Sequence, residues 1–229
     1  MADKRLVWDL PLRLFHWVLV LSILASYLTA KAGFEYMQYH FWLGYWMIGL
    51  ILFRVVWGFV GPKHARFSSF FPRPRKLALY LRTIFKRDGV PTVGHNPAGG
   101  LMVIVMLLMI ATQVFSGLFV TDDIAWAGPY NPAVSSSLAG RLTWLHHLNF
   151  DVLIWVMGLH VLAIAFYAVG KRQNLVIPMF TGHKPAHHVP EHEAISNSEL
   201  VKALIVALLC AAAVYGLITF APEPPEIYY

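Results

Sequence analysis

Residues 146–160 read HHLNFDVLIWVMGLH. His146 and His160 stand fourteen residues apart in a stretch with one acid and no lysine or arginine. At about 100° per helical residue, fourteen steps make almost four turns and return to the same face within about 40°. The rise is about 21 Å, a large part of the hydrocarbon core of a bilayer. One helix therefore presents two imidazoles to one side, near the two ends of a membrane span. His147 is thirteen residues from His160 and points to the far side.

The composition agrees with a membrane span. The chain has 229 residues, 58% hydrophobic and 13% charged, where a soluble domain carries about a quarter charged residues. Its net charge of +6 is not interleaved with a polar fold, so it does not point to nucleic acid; a membrane protein places such charge in cytoplasmic loops. Cys210 is the single cysteine. That excludes an internal disulfide, covalent haem attachment through C-x-x-C-H and a cysteine-held iron–sulfur cluster. A haem in this chain is b-type, held by histidine alone.

Five segments are long and apolar enough to cross: 14–30, 36–53, 99–121, 142–169 and 200–220. Each is near the 17–25 residues that a span requires. Trp17, Tyr36, Trp42, Trp57, Trp126 and Trp144 cluster near their ends, as interfacial anchors do. Lys4, Arg5 and Arg13 precede the first span. Lys63, Arg66, Arg73, Arg75, Lys76, Arg82, Lys86 and Arg87 follow the second, and Lys171, Arg172 and Lys184 follow the fourth. The opposite side holds only Lys31 and Arg141, with Glu35, Asp122, Asp123, Glu223 and Glu226. The expected orientation is a cytoplasmic N-terminus and a periplasmic C-terminus. Residues 73–87 place Leu77, Leu81, Ile84 and Phe85 on one side and cations on the other, which predicts a short helix on the inner leaflet. Cleavage as a signal peptide after Ala32 is disfavoured: the leading arm contains acids and a proline, and cleavage would remove His16.

The remaining histidines pair by depth. His16 lies near the cytoplasmic start of span one and His160 near the inner end of span four. His40 lies near the outer start of span two and His146 near the outer start of span four. Two bis-histidine haems, one per leaflet, are the expectation. A single such histidine is more often an interfacial or hydrogen-bonded core residue; four at matched depths, two of them on one face, argue for ligands. Arg54 is fourteen residues from His40 and so falls at the inner haem level. It either offsets the haem propionates or marks the positive-inside boundary. Arg13, one turn before His16, is a candidate for the same role. Gly44, Gly49, Gly117, Gly158 and Ala163 would leave room for a flat macrocycle, and are equally ordinary at helix contacts.

Several segments also resemble a known family. WDLPLRLFHW (8–17), HFWLGYWMIGLILFRVVWGFVG (40–61), GHNPAGGLMVIVMLLMIATQVFSGLF (94–119), LHHLNFDVLIWVMGLHVLAIAFY (145–167) and QNLVIPMFTGHK (173–184) resemble the bacterial cytochrome b561 family. The type most similar is the b-type cytochrome subunit of nickel–iron hydrogenases. The resemblance implies an all-α membrane protein: a four-helix transmembrane bundle holding two haems b, with His16, His40, His146 and His160 as ligands. The di-haem domain would cover residues 1–184. Residues 185–229 would add a cytoplasmic loop, a peripheral fifth transmembrane helix and a short outer tail. The implied function is electron transfer across the bacterial inner membrane, between a periplasmic hydrogenase-like dehydrogenase or c-type cytochrome and membrane quinone, with quinone oxidoreductase activity and oligomerisation left open. His147 departs from the family, standing where relatives often have an acid.

Two other functional classes compete. Some relatives oxidise superoxide and pass the electron to quinone, but the outer loops here are acidic or neutral and would not attract that anion. A haem-free membrane anchor is the third reading. Four loop histidines, His183, His187, His188 and His192, read as a solvated segment, with metal binding or proton delivery as alternatives. Asp151 is an ionisable group inside a span, about 140° from the His146 face. His95 reads as a cap for the third span, and His64 has no evident partner.

Overall fold

A computed structural model describes residues 3–71, 73–85, 92–122 and 124–222 of the chain. Lys86, Arg87, Asp123, Glu223 and Glu226, which entered the charge argument, lie outside them. The elements run β1 (Lys4–Leu6), α1 (Leu10–Ala32), α2 (Met37–Val60), α3 (Phe67–Phe70), α4 (Pro74–Thr83), α5 (Pro97–Gly117), α6 (Ser136–Val169), α7 (Val176–Thr181), β2 (His183–Pro185) and α8 (Leu200–Thr219). The helices α1, α2, α5, α6 and α8 are long and apolar enough to cross a membrane. The chain is a multi-pass, all-α membrane protein, as the sequence indicates.

Local chemistry sets the helix ends. Asp9 precedes α1, and its Oδ1 accepts the Leu12 backbone N–H at 2.9 Å, an N-cap that satisfies a donor the helix leaves unpaired. Asn96 does the same for α5, accepting from the Gly99 N–H at 2.7 Å. That helix stops at Gly117 rather than continuing to residue 121. The chain folds back: the Gly128 N–H donates to Val120 O at 2.8 Å and the Tyr130 N–H to Leu118 O at 2.9 Å. A Cβ on Gly128 would lie 2.3 Å from Leu118 O, so the return needs a glycine. Helix α6 starts at Ser136, before the expected residue 142, because a polar first turn carries no hydropathy signal. Its 34 residues rise about 51 Å, more than the hydrocarbon core needs.

The chain divides into two compact units. The first comprises Met1–Trp17, Arg54–Met106 and Val156–Val206. Here β1 pairs antiparallel with β2, Arg5 opposite Lys184. Three-residue strands have no readable alternation, so this pairing was not legible in the sequence. Gly182 closes it: its carbonyl accepts the N–H groups of Val7 (2.9 Å) and Trp8 (3.0 Å), its φ is +81°, and a Cβ would meet Trp8 O at 2.7 Å. Trp17 fastens α1 to α7, donating from Nε1 to Met179 O at 3.1 Å and stacking on Phe180 at 4.3 Å. The amphipathic helix α4 falls where residues 73–87 predicted it, over a shorter span. Tyr80 anchors it by a hydroxyl–hydroxyl contact with Tyr167 of α6, while Leu79 and Leu81 stay exposed.

The second unit comprises Val18–Phe53, Leu107–Trp155 and Ala207–Tyr229. Tyr27 of α1 stacks on Phe150 of α6, and Trp46 of α2 donates to Ser22 Oγ of α1 at 3.1 Å. Tyr130 donates to Leu217 O of α8 at 2.8 Å. Along α8, whose residues up to Val206 belong to the first unit, only Ala203, Val206 and Cys210 are buried, one stripe at helical spacing. Its other faces carry exposed Leu204, Ile205, Leu208 and Leu209, the surface that a lipid-facing helix presents.

Candidate metal centres

His40 and His146 come together in the second unit. Their ring centroids are 6.3 Å apart and the rings lie at 83° to one another. A metal–imidazole nitrogen bond is about 2 Å and the ring centre lies roughly 1 Å beyond it, so two imidazoles across one ion sit about 6 Å apart. The hydrogen bonds decide which nitrogens are available. His40 Nδ1 donates to Ser26 O at 2.9 Å, and His146 Nδ1 donates to Gln113 O at 3.0 Å. A carbonyl only accepts, so both Nδ1 atoms carry the hydrogen and both Nε2 atoms keep a lone pair. Ser26 Oγ (3.1 Å) and Ser116 Oγ (3.3 Å) flank the same two nitrogens. This backbone anchoring is the outer hydrogen-bond shell that orients histidine ligands and raises their basicity. A Cβ on Gly117 would lie 3.2 Å from His146 Cε1, so glycine there keeps the ring in place.

His16 and His160 fall in the first unit, close enough to interact electrostatically. His16 packs edge-on against Trp17 at 4.9 Å. Its Nδ1 is closed off and has no hydrogen-bond partner. His16 thus lacks at this nitrogen the carbonyl anchor that fixes the other pair.

A match to a family model covers residues 7–182, described as prokaryotic cytochrome b561. The chain belongs to the prokaryotic cytochrome b561 family. Its relatives include proteins described as probable Ni/Fe-hydrogenase B-type cytochrome subunits. The one from Rhodobacter capsulatus is 27% identical over 210 residues, covering 78% of this chain and 80% of that protein. The one from Azotobacter vinelandii is 29% identical over 209 residues, covering 77% and 86%. The one from Azotobacter chroococcum is 28% identical over 212 residues, covering 77% and 86%. No solved structure matches the chain. Membership in a b-type cytochrome family implies haem b, and paired imidazoles with free Nε2 atoms are the donor set that haem iron takes.

The other sequence candidates take varied places. Arg54 is 2% exposed, with its guanidinium over the rings of Phe67 (4.8 Å) and Phe70 (5.8 Å). Arg13 donates from Nε to Trp8 O at 3.2 Å and from Nη1 to Phe180 O, so it also ties α1 to α7. His147 and Asp151 are exposed on α6; the His147 ring lies edge-on to that of His146 at 6.0 Å. Among the described residues no group of three or more His, Cys, Asp or Glu side chains is placed to hold a metal ion.

Sequence reasoning missed one cluster. Asp9 is 1% exposed and Trp57 0%, and the Trp57 indole donates to Asp9 Oδ1 at 2.9 Å. Trp8 lies between His95 (4.7 Å) and His64 (6.1 Å). His64 donates from Nε2 to Glu193 O at 2.8 Å, so it does have a partner, and Asn96 rather than His95 caps α5. Burial pushes the His95 imidazole down to about 3, with the Arg54, Lys184 and His64 charges adding to the effect. Burial likewise lowers Lys184 to about 8 and raises the Asp9 carboxyl against its hydrogen bonds and Arg54. The signal for this cluster was the acid immediately before an apolar helix with proline in its first turn, WDLP.

Proposed function

We propose that the chain carries two haems b and passes electrons between a periplasmic redox partner and membrane quinone. His40 and His146 ligate one haem, His16 and His160 the other. The observation that carries this is the His40–His146 pair, with a ring separation of 6.3 Å and both Nδ1 atoms held by backbone carbonyls. When bound, the haem supplies reversible one-electron chemistry at an iron with no open position. The chain's own residues set the rest. Ser26 and Gln113 hold the imidazole tautomers and raise ligand basicity. Gly117 leaves His146 its space. Arg54 and Arg13 place positive charge in the unit of His16 and His160, and would offset propionate charge.

The two histidines on α6 define the path, His146 serving the periplasmic haem and His160 the cytoplasmic one, with the N-terminus in the cytoplasm and the C-terminus in the periplasm. Protons for quinone reduction then come from the cytoplasm. The relatives' description as Ni/Fe-hydrogenase B-type cytochrome subunits favours a hydrogenase as the periplasmic partner over a c-type cytochrome. The test is reconstitution of the purified protein in quinone-loaded vesicles. The expected result is quinone reduction by a reduced external donor, abolished in His160→Ala with loss of one haem. Retention of both haems with normal turnover in that variant would reject the assignment.

A further inference from the structure

A buried acid lies beside the start of α1, and the electron path makes no use of it. Asp9 Oδ1 is fully engaged, accepting from Leu12 and Trp57. Its Oδ2 has no partner, nor does Nη1 of Arg54, and each of these atoms exposes less than 1 Å². The two groups interact electrostatically, yet among the described residues they make no direct ion pair. Direct pairing would hold the carboxylate ionised and complete isolation would hold it protonated; a cation nearby but out of contact brings the two forms close in free energy. Asp9 is also seven residues before His16. That spacing returns to the same helix face within about 20° and covers about 10 Å. One added negative charge at that distance shifts a buried carboxyl equilibrium by about tenfold.

We propose that Asp9 is a redox-linked proton site. It rests on the reading that His16 and His160 ligate a haem. When that centre gains one electron, Asp9 Oδ2 takes one proton from the aqueous phase; when the electron leaves, the O–H bond breaks and the proton returns. Net charge in the unit is conserved in both directions, and the electron donor is the redox partner of the proposed path. Arg54 and Trp57 face Asp9 from α2, and the Leu12 N–H faces it from α1. His95, His64 and Lys184 lie around the neighbouring Trp8. His64 Nε2 lies 3.9 Å from the Glu193 carboxylate, which pairs with Lys63.

Two measurements on the purified full-length protein test this. The first is the midpoint potential of each haem against pH. One haem should approach one proton per electron in wild type; D9N should abolish that slope, and D151N, at an exposed position, should keep it. Asparagine caps a helix as well as aspartate, and its oxygen can still accept from Leu12 and Trp57. The second needs no variant: redox-difference infrared spectroscopy should show a protonated-carboxyl band on reduction, shifted by deuterium and by 13C-labelled aspartate. Two haems with pH-independent potentials, a slope that survives D9N, or no carboxyl band would overturn the proton site and leave the haem assignment standing. Absence of haem would overturn both.

Discussion

The two histidine pairs are equivalent in the sequence and different in the structure. Each joins one histidine of α6 to one from another helix. In the second unit both Nδ1 atoms are fastened to backbone carbonyls. In the first, His16 Nδ1 has no partner, and buried titratable groups gather in the same unit. On the proposed assignment, spacing selects which histidines can be ligands, and the hydrogen-bond shell sets how each site would behave. A ligand whose N–H is held by a carbonyl is more basic and favours oxidised iron. The His40–His146 site should have the lower, pH-insensitive potential, and the His16–His160 site should be coupled to protons.

The largest expected effect comes from removing a ligand. His146→Ala should lose one of two haems and leave the pH-dependent one; His160→Ala should do the reverse. Haem content by pyridine haemochrome and a redox titration distinguish the cases. If either variant lost both haems, the sites would not be separable and the contrast would fail.

A smaller effect, confined to the second unit, is expected from Gly117→Leu. Overpacking costs about 1–3 kcal/mol, and here it falls on the His146 ring. The titration should show a shifted or depleted low-potential component and an unchanged high-potential one. An equal change in both would mean that Gly117 serves packing in general.

The fold was legible where hydropathy decides it. Five spans and their order follow from apolar runs, because lipid leaves only helices to satisfy the backbone. Boundaries were less legible where polar residues extend a helix, as at Ser136, or where a backbone return ends one, as after Gly117. The meeting of His40 with His146 was legible from their matched depths in two apolar spans, and the fourteen-residue spacing put His146 and His160 on one face of α6. Their anchors were not: Ser26 and Gln113 act through backbone carbonyls, which every residue has. Nor was the Asp9 cluster, because its members come from the start of α1, the end of α2 and the loops before α5, brought together only by folding.

A weaker, pH-dependent effect sharpens the first unit. Folding holds His95 neutral, with its pKa lowered from 6.5 to about 3. Between those values the unfolded chain binds more protons than the folded one, so stability rises with pH. Its contribution is complete above about pH 6.5 and declines as pH falls towards 3. Thermal unfolding in detergent should show that decline, and His95→Phe should flatten it. An unchanged acid dependence in the variant would assign the effect elsewhere.

The smallest expected effect belongs to His147. It is exposed beside His146, the proposed ligand, so His147→Ala should keep both haems and both potentials in the optical titration; loss of a haem would exchange its role with that of His146.

The most direct test of the central claim is a potentiometric titration of the visible spectrum of the purified wild-type protein, with haem counted per chain. The account predicts two haems b that titrate as two one-electron components of low-spin, bis-histidine type. A chain with no b-type band on reduction, or with a single haem, would contradict it.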